Sequence, residues 1–310
     1  MLFLARSWGG GSRLTPDRAA ASLGIFAGSP ASSARLGDDF LAFLPHPRAR
    51  AQRGWAPCRS PSGWPVLLHG WIDNLDALSR ELGVPATSAE RVYGAAVERW
   101  GDAADARIDG SYAAVVCLPD GEARLARSPW GGRSLFVWRD GDHLVVSSIL
   151  RPMFAAGVPR RLRQAAVDAM LTLDLVDPRQ ALFEDIEIPP VGHVLRLGRD
   201  TRRLVSFYDI DALPGVRLRR DEDYVEAANG LLADAVAASL RDCERPGVTL
   251  SGGLDSPIVC DEVMRQRGER PVTSFTFGPI AEWDGRVAGH KFGDDRPAAR
   301  AFAAMHPGLD

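Results

Sequence analysis

Lysine is almost missing from this sequence. Of the 37 basic residues among 310, 36 are arginine and one, Lys291, is lysine. Chemistry that needs a side-chain amine therefore has a single candidate. Cysteine is scarce as well: Cys58, Cys117, Cys243 and Cys260 lie far apart, with no C-x-x-C pair and no clustered histidines. That spacing argues against a zinc site and a disulfide-stapled secreted domain, and reads as reduced thiols in a cytosolic protein. No excess of charge is present either. A net charge of −3 leaves no global basic field to hold nucleic acid or an anionic membrane surface. Long apolar runs are also lacking. The run from Met1 stops at Arg6, too short for a signal peptide, and 113–118 is too short to span a bilayer. These absences describe a soluble cytoplasmic protein without nucleic-acid or membrane partners.

What is present is ordinary globular composition, 45% hydrophobic and 25% charged, at a length suited to about two domains. Residues 1–160 read mostly as strands, with apolar runs at 40–44, 66–69, 113–118, 134–138 and 143–148. Asp120-Gly121 and Asp140-Gly141 lie between such runs and predict type I′ hairpins, which need positive φ at both central residues. Two helices are expected among the strands: 73–82, closed by Gly83, and 89–100, capped by Ser88 and closed by Gly101. After a transitional stretch with a strand at 194–197, the pattern changes at Glu222. Tyr224, Val225, Ala228, Leu231, Leu232, Ala235 and Val236 recur at helical spacing on one apolar face. A strand at 248–250, a helix at 256–267, a strand at 272–277 and a helix at 295–304 follow, the opening of a parallel α/β sheet. The domain boundary is expected near 205–220.

The informative segment is Leu250-Ser251-Gly252-Gly253-Leu254-Asp255-Ser256, which ends a strand and opens a helix. Two adjacent glycines allow a sharp turn that aims successive N–H groups into one concavity. The helix N-terminus behind it completes an anion site suited to phosphate oxygens. Ser251 and Ser256 add hydroxyls, and Asp255 can cap the helix or help hold a metal beside the phosphates. The segment is neither a Walker A loop nor a G-x-G-x-x-G fingerprint. Its five fixed residues would recur by chance in roughly one chain in several thousand of this length.

The segment resembles the pyrophosphate loop of ATP pyrophosphatases, and the chain around it resembles the asparagine synthetase family. Gly70-Trp71-Ile72-Asp73-Asn74, Ile108-Asp109-Gly110-Ser111-Tyr112, Arg127-Ser128-Pro129-Trp130-Gly131, Pro190-Val191-Gly192-His193 and Phe207-Tyr208-Asp209 fall in that family's order. The resemblance implies α+β followed by α/β: an Ntn-hydrolase-like αββα sandwich, then the incomplete start of a parallel, doubly wound, adenine-nucleotide α hydrolase-like domain. It implies a glutamine amidotransferase type 2-like domain over 1–205 and the N-terminal part of the synthetase domain over 215–310. The activity implied is that of asparagine biosynthesis: a carboxylate, of aspartate or a peptide side chain, is adenylated by ATP with magnesium. Pyrophosphate leaves, and an amine then displaces AMP. By the same resemblance Ser251, Gly252, Gly253, Leu254, Asp255 and Ser256 hold pyrophosphate, with Asp255 toward the metal. Leu250 and Phe277 contact adenosine. Pro257 departs from the serine usual there and removes one N–H.

The glutaminase half departs from the family. Glutamine hydrolysis there uses a Cys as first mature residue, assisted by its own α-amine; here Leu2 follows Met1 and the first cysteine is Cys58. The family's Asn-Gly-Glu is His69-Gly70-Trp71, its later Asp is Ser88, and its Arg has no match. No glutaminase activity is expected, and catalytic residues are not assigned. Similar domains without the cysteine occur in lasso-peptide cyclases and β-lactam synthetases. The family's further strands, second acidic segment and catalytic lysine follow the loop at distances this chain does not reach, and Lys291 comes too early to be that lysine. The chain is therefore expected to be impaired alone or completed by a partner chain. The scattered histidines (His69, His143, His193 and His290) and the eight tryptophans read as structural, and Asp294-Asp295 as the N-cap of the last helix.

Overall fold

The computed structural model describes residues 1–9, 13–24, 31–44, 58–130, 132–174, 177–241, 243–280, 282–287 and 293–310. Lys291, His290 and Gly131 lie outside the described residues. The chain divides into two compact units, Met1–Leu213 and Pro214–Asp310.

In the first unit the elements run β1 (Leu2–Ser7), α1 (Pro16–Leu23), β2 (Ser32–Leu36), β3 (Asp39–Phe43), β4 (Cys58–Arg59), β5 (Pro65–Ile72), α2 (Leu75–Leu82) and α3 (Ala89–Trp100). After a 3-10 segment (Gly101–Arg107) come β6 (Gly110–Cys117), β7 (Ala123–Arg127), β8 (Phe136–Asp140), β9 (His143–Ser147), α4 (Leu150–Ala155) and α5 (Gln164–Thr172). The unit closes with β10 (Ile186–Glu187), β11 (His193–Leu197) and β12 (Arg202–Ser206). Two six-stranded sheets result, in the orders β10-β8-β9-β1-β3-β2 and β12-β11-β7-β6-β5-β4, all antiparallel.

Strand alternation explains the layers. Leu2 and Leu4 of β1 meet Leu67 of β5 and Val115 of β6 in a core between the sheets. The alternate residues Phe3 and Ala5 face outward, against Ala19 and Leu23 of α1 and Met153 of α4. Likewise Val66 and Leu68 of β5 turn away from the inner core to pack on Leu78 of α2 and on Val92, Tyr93 and Ala96 of α3. Both faces of these strands are buried, so their sequences are near-continuous apolar runs. This is the expected αββα sandwich.

Local details correct several expectations. Asp140 faces His143, so the hairpin centres on Gly141-Asp142, and only Gly141 has positive φ, at 53°. That is the glycine-first pattern rather than type I′. Cys117 faces Ala123 across a longer loop in which Gly121 alone is left-handed (φ 83°) and Asp120 Oδ1 accepts the Glu122 N–H at 3.0 Å. Helix α3 starts where Ser88 accepts the Arg91 N–H at 3.3 Å, and α2 ends at Gly83 in the left-handed region (φ 67°). Beyond these two helices, α1, α4 and α5 are additional, and each is short, between six and nine residues. Trp138 joins the core, but Trp130 is 70% exposed and meets Tyr208 edge to face at 5.6 Å.

The outer layer over β6 and β7 buries charge. Arg124, 1% exposed, pairs with Asp105, and its Nη1 donates to the Tyr93 hydroxyl at 2.8 Å. The Tyr93 and Tyr112 hydroxyls both donate to Asp105 Oδ1 at 2.8 Å. Burial, with the Asp105 charge beside them, pushes both tyrosine hydroxyls well above their ordinary range.

The second unit contains α6 (Asp221–Leu240), β13 (Gly247–Thr249), α7 (Asp255–Arg267), β14 (Thr273–Phe275) and α8 (Arg296–Ala303). Strands β13 and β14 pair in parallel, as the strand–helix–strand pattern implies. A third parallel pairing begins at the chain end, where Val272 bridges Leu309 and the Asp310 N–H donates to Val272 O at 2.9 Å. The core is small: Val236, Leu250, Cys260, Val263, Met264, Val272 and Ala299. The apolar face expected to bury α6 is largely exposed. Val236 is its one buried residue, while Tyr224, Val225 and Leu231 face solvent. The helix leans on α7 through Val236 and a Gln266 Nε2 hydrogen bond to Ala233 O at 2.8 Å.

Candidate functional site

The loop of interest leaves the parallel sheet at its carboxyl edge. Leu250 is buried, and its N–H donates to Phe275 O at 2.9 Å, so the ladder runs one residue past β13. Three hydrogen bonds then fold the loop. The Ser251 N–H donates to Ser256 Oγ at 2.9 Å, the two serine hydroxyls meet at 2.8 Å, and the Gly253 N–H donates to Ser251 Oγ at 3.3 Å. Helix α7 starts at Asp255, and the N–H groups of Asp255 and Ser256 have no acceptor within it. Pro257 sits in that first turn, where its missing N–H costs nothing to the helix. The result is a preorganised turn with donors at a helix N-terminus, an arrangement that accepts anion oxygens.

The expected site residues are only partly brought together. Leu250, Ser251, Gly253 and Ser256 are tied into one turn. Leu254 is 80% exposed and is the N-cap residue of α7, without a side-chain capping bond. Asp255 is the first helical residue rather than the cap, and its carboxylate is exposed. Phe277 lies two residues past β14 rather than in it, with its ring 88% exposed. Neither loop glycine adopts positive φ. Gly252 sits in a tight place: a Cβ there would lie 3.1 Å from Asp295 Oδ1 and 3.2 Å from Ala298 Cβ. The start of α8 therefore packs directly on the loop.

Sequence reading missed that third wall. Asp295 is the N-cap residue of α8 but makes no capping bond; Asp294 Oδ1 accepts the Arg296 N–H at 3.0 Å instead. Arg296 crosses Gly278, whose Cβ would stand 2.7 Å from Arg296 Cδ. The available signal was Gly278 itself, a glycine just past a strand. Among the described residues no group of three His, Cys, Asp or Glu is placed to hold a metal ion.

Leu2 is fully buried in the inter-sheet core, with its N–H donating to Ser148 Oγ at 3.0 Å. The Met1 α-amine donates to Leu44 O at 2.6 Å, and burial, with Arg133 nearby, lowers its pKa to about 5. His69, Gly70 and Trp71 lie in β5. Gly70 (φ 130°) has no room for a Cβ, which would meet the Ser111 carbonyl. Ser88 caps α3 and sits 3.3 Å from the Cys58 thiol, which burial pushes up and so keeps protonated. All four cysteines are free; Cys117 and Cys260 are buried, and Cys58 and Cys243 are half-buried. Among the described residues no helix is long and apolar enough to cross a membrane.

A six-plus-six-stranded sandwich followed by a parallel strand–loop–helix unit defines a class, the amidotransferase–ligase arrangement. Residues 48–208 match the model of the glutamine amidotransferase domain, and residues 227–308 match that of asparagine synthase. With an amidotransferase domain over more than half its length and an asparagine synthase segment after it, the chain belongs to the asparagine synthetase family. No curated protein matches the sequence. Similar solved structures include a glutamine phosphoribosylpyrophosphate amidotransferase from B. subtilis complexed with ADP and GMP, at 14% identity and TM-score 0.46 over 94% of this chain and 69% of that one. An allosteric regulatory enzyme of purine biosynthesis matches at 14% and 0.45, over 97% of this chain and 69% of that one. A glutamine aminotransferase class-II domain protein from Silicibacter pomeroyi matches at 12% and 0.35, over 67% and 98%.

Proposed function

We propose that this chain is an ATP-dependent, AMP-forming amide ligase of its family, with a silent amidotransferase domain. The observation that carries the reading is the turn at Ser251–Ser256, with two hydroxyls and the α7 N-terminus converging where phosphate oxygens would sit. In the reaction a substrate carboxylate oxygen attacks the α-phosphorus of ATP, pyrophosphate leaves, and an amine nitrogen then attacks the acyl carbon and expels AMP. Leu250 and Phe277 border the adenosine side. Asp255, exposed at the start of α7, is the carboxylate that would help hold magnesium beside the phosphates, where the ion would screen their charge. The carboxylate belongs to aspartate or to a peptide side chain.

An apolar, fully buried Leu2 where the family's cysteine is expected supports a silent glutaminase half that serves as scaffold. The amine then comes from ammonia or from the substrate itself, as in a lasso-peptide or β-lactam-type ring closure. The exposed stripe on α6 supports dependence on further polypeptide, such as a partner chain, for full turnover. The domain limits 1–205 and 215–310 and a cytoplasmic location remain part of this reading.

Calorimetric titration of the folded chain with Mg-ATP tests it. Binding is expected, and Ser256→Ala should weaken it by about tenfold through loss of a hydroxyl at the phosphates. A folded chain that binds no ATP sinks the ligase reading. Release of glutamate from glutamine sinks the silent-scaffold half.

A further inference from the structure

We propose that Arg296 is a nucleotide-binding residue, contacting the α-phosphate of ATP. The inference rests on the nucleotide reading of the Ser251–Ser256 loop and adds a residue that the loop motif does not contain. Three segments converge at the carboxyl edge of the parallel pair. They are the loop at Gly252, the segment after β14 at Gly278, and the start of α8, which touches both. Asp295 and Ala298 pack on Gly252, and the neighbouring Arg296 lies across Gly278, next to Phe277. Arg296 therefore stands between the expected phosphate end of the site and its expected adenosine end.

Its guanidinium is held in place from two sides. Nε and Nη2 donate to the two Asp294 carboxylate oxygens at 2.8 Å each, and the side-chain stem rests on the Gly278 backbone. Nη1 makes no hydrogen bond among the described residues, and the side chain remains 41% exposed. A planar guanidinium fixed on one edge and open on the other is suited to a phosphate oxygen. Glycine at 278 is what makes this possible, since a Cβ there would displace the Arg296 stem.

The test titrates the full chain and its Arg296→Gln and Gly278→Ala variants with Mg-ATP, AMP and adenosine, with thermal melting as the check on folding. Arg296→Gln should weaken ATP and AMP about tenfold, the usual effect of losing one charge-assisted hydrogen bond, and leave adenosine within about twofold. Gly278→Ala should show the same ordering by moving the arginine without removing it. Wild-type binding of ATP with unchanged affinity in Arg296→Gln overturns the role of Arg296 alone. Equal weakening of all three ligands also overturns it, since that is loss of site shape. Absence of ATP binding by the wild-type chain overturns the loop reading and this inference together.

Discussion

The two units handle burial in opposite ways. The sandwich has three apolar clusters of 16, 15 and 13 buried residues, on both faces of both sheets, and it encloses charge with its partners. Arg6 is held between the sheets by Asp39 at 2.5 and 2.8 Å, and Arg124 by Asp105 under α3. The second unit has one cluster of seven buried residues and leaves Leu231, Leu254, Ile258 and Phe277 in solvent. One unit is built around an interior; the other is built around an edge, and the candidate site lies on that edge. A buried interior gives rigidity, whereas a sheet edge leaves backbone donors and side chains available to a ligand.

The contrast can be broken first at Asp105. Asp105→Ala removes the fully buried partner of Arg124, leaving only Asp102 at 3.4 Å, takes the acceptor from the Tyr93 and Tyr112 hydroxyls, and should cost the sandwich about 3 to 5 kcal/mol in urea denaturation. Replacing Arg124 and Asp105 together by Met and Leu should cost less than the single change. A loss below about 1 kcal/mol for Asp105→Ala would mean the interior is far more forgiving than its geometry implies.

Next is pH. The Met1 amine has an ordinary pKa of 8.0 but about 5 in the folded chain, so the folded state keeps it neutral while the unfolded chain takes up the proton. Stability from this group is complete above pH 8 and falls as pH drops toward 5, by up to about 4 kcal/mol. Melting curves across that window should show the slope, and acetylation of the amine should remove it.

Third, Met264→Ala opens a cavity in the seven-residue core and should cost about 2 to 3 kcal/mol. Hydrogen exchange should then show β13, β14 and α7 losing protection while β1 and β6 keep theirs. Loss of protection in both units would show that they do not unfold independently. The smallest effect is expected at Leu231, 72% exposed on α6. Leu231→Glu should shift stability by no more than about 0.5 kcal/mol in the same denaturation assay. A larger loss would show that the stripe is covered in solution.

Much of the sandwich is legible in the residues. Val115 and Val116 can both be buried only if both faces of β6 are covered, so an unbroken apolar run already signals a sheet between two layers. Ser88 and Gly101 bracket α3 because a hydroxyl satisfies a first-turn N–H and glycine permits the exit. The Ser-Gly-Gly-Leu-Asp-Ser turn is legible because its hydrogen bonds are local, within five residues. Less legible is Arg124, which reads as a surface charge until Tyr93, Tyr112 and Asp105 meet around it. Periodicity was misleading on α6, since an apolar stripe reports the capacity to bury and not the presence of something to bury against.

By itself the sequence determined the family, the main strands, helices α2 and α3 and the serine–glycine turn, because their signals are carried by residues near one another in the chain. The role of Arg6 appears only in three dimensions. The fork that clamps Asp39 from a strand 33 residues away is a planar, two-pronged geometry that lysine, a point charge, cannot supply. Tertiary structure alone decided that Gly252 lies against the start of α8, and that Arg296 stands over Gly278. Those contacts join residues tens of positions apart, and only packing of α8 on the sheet edge brings them within reach.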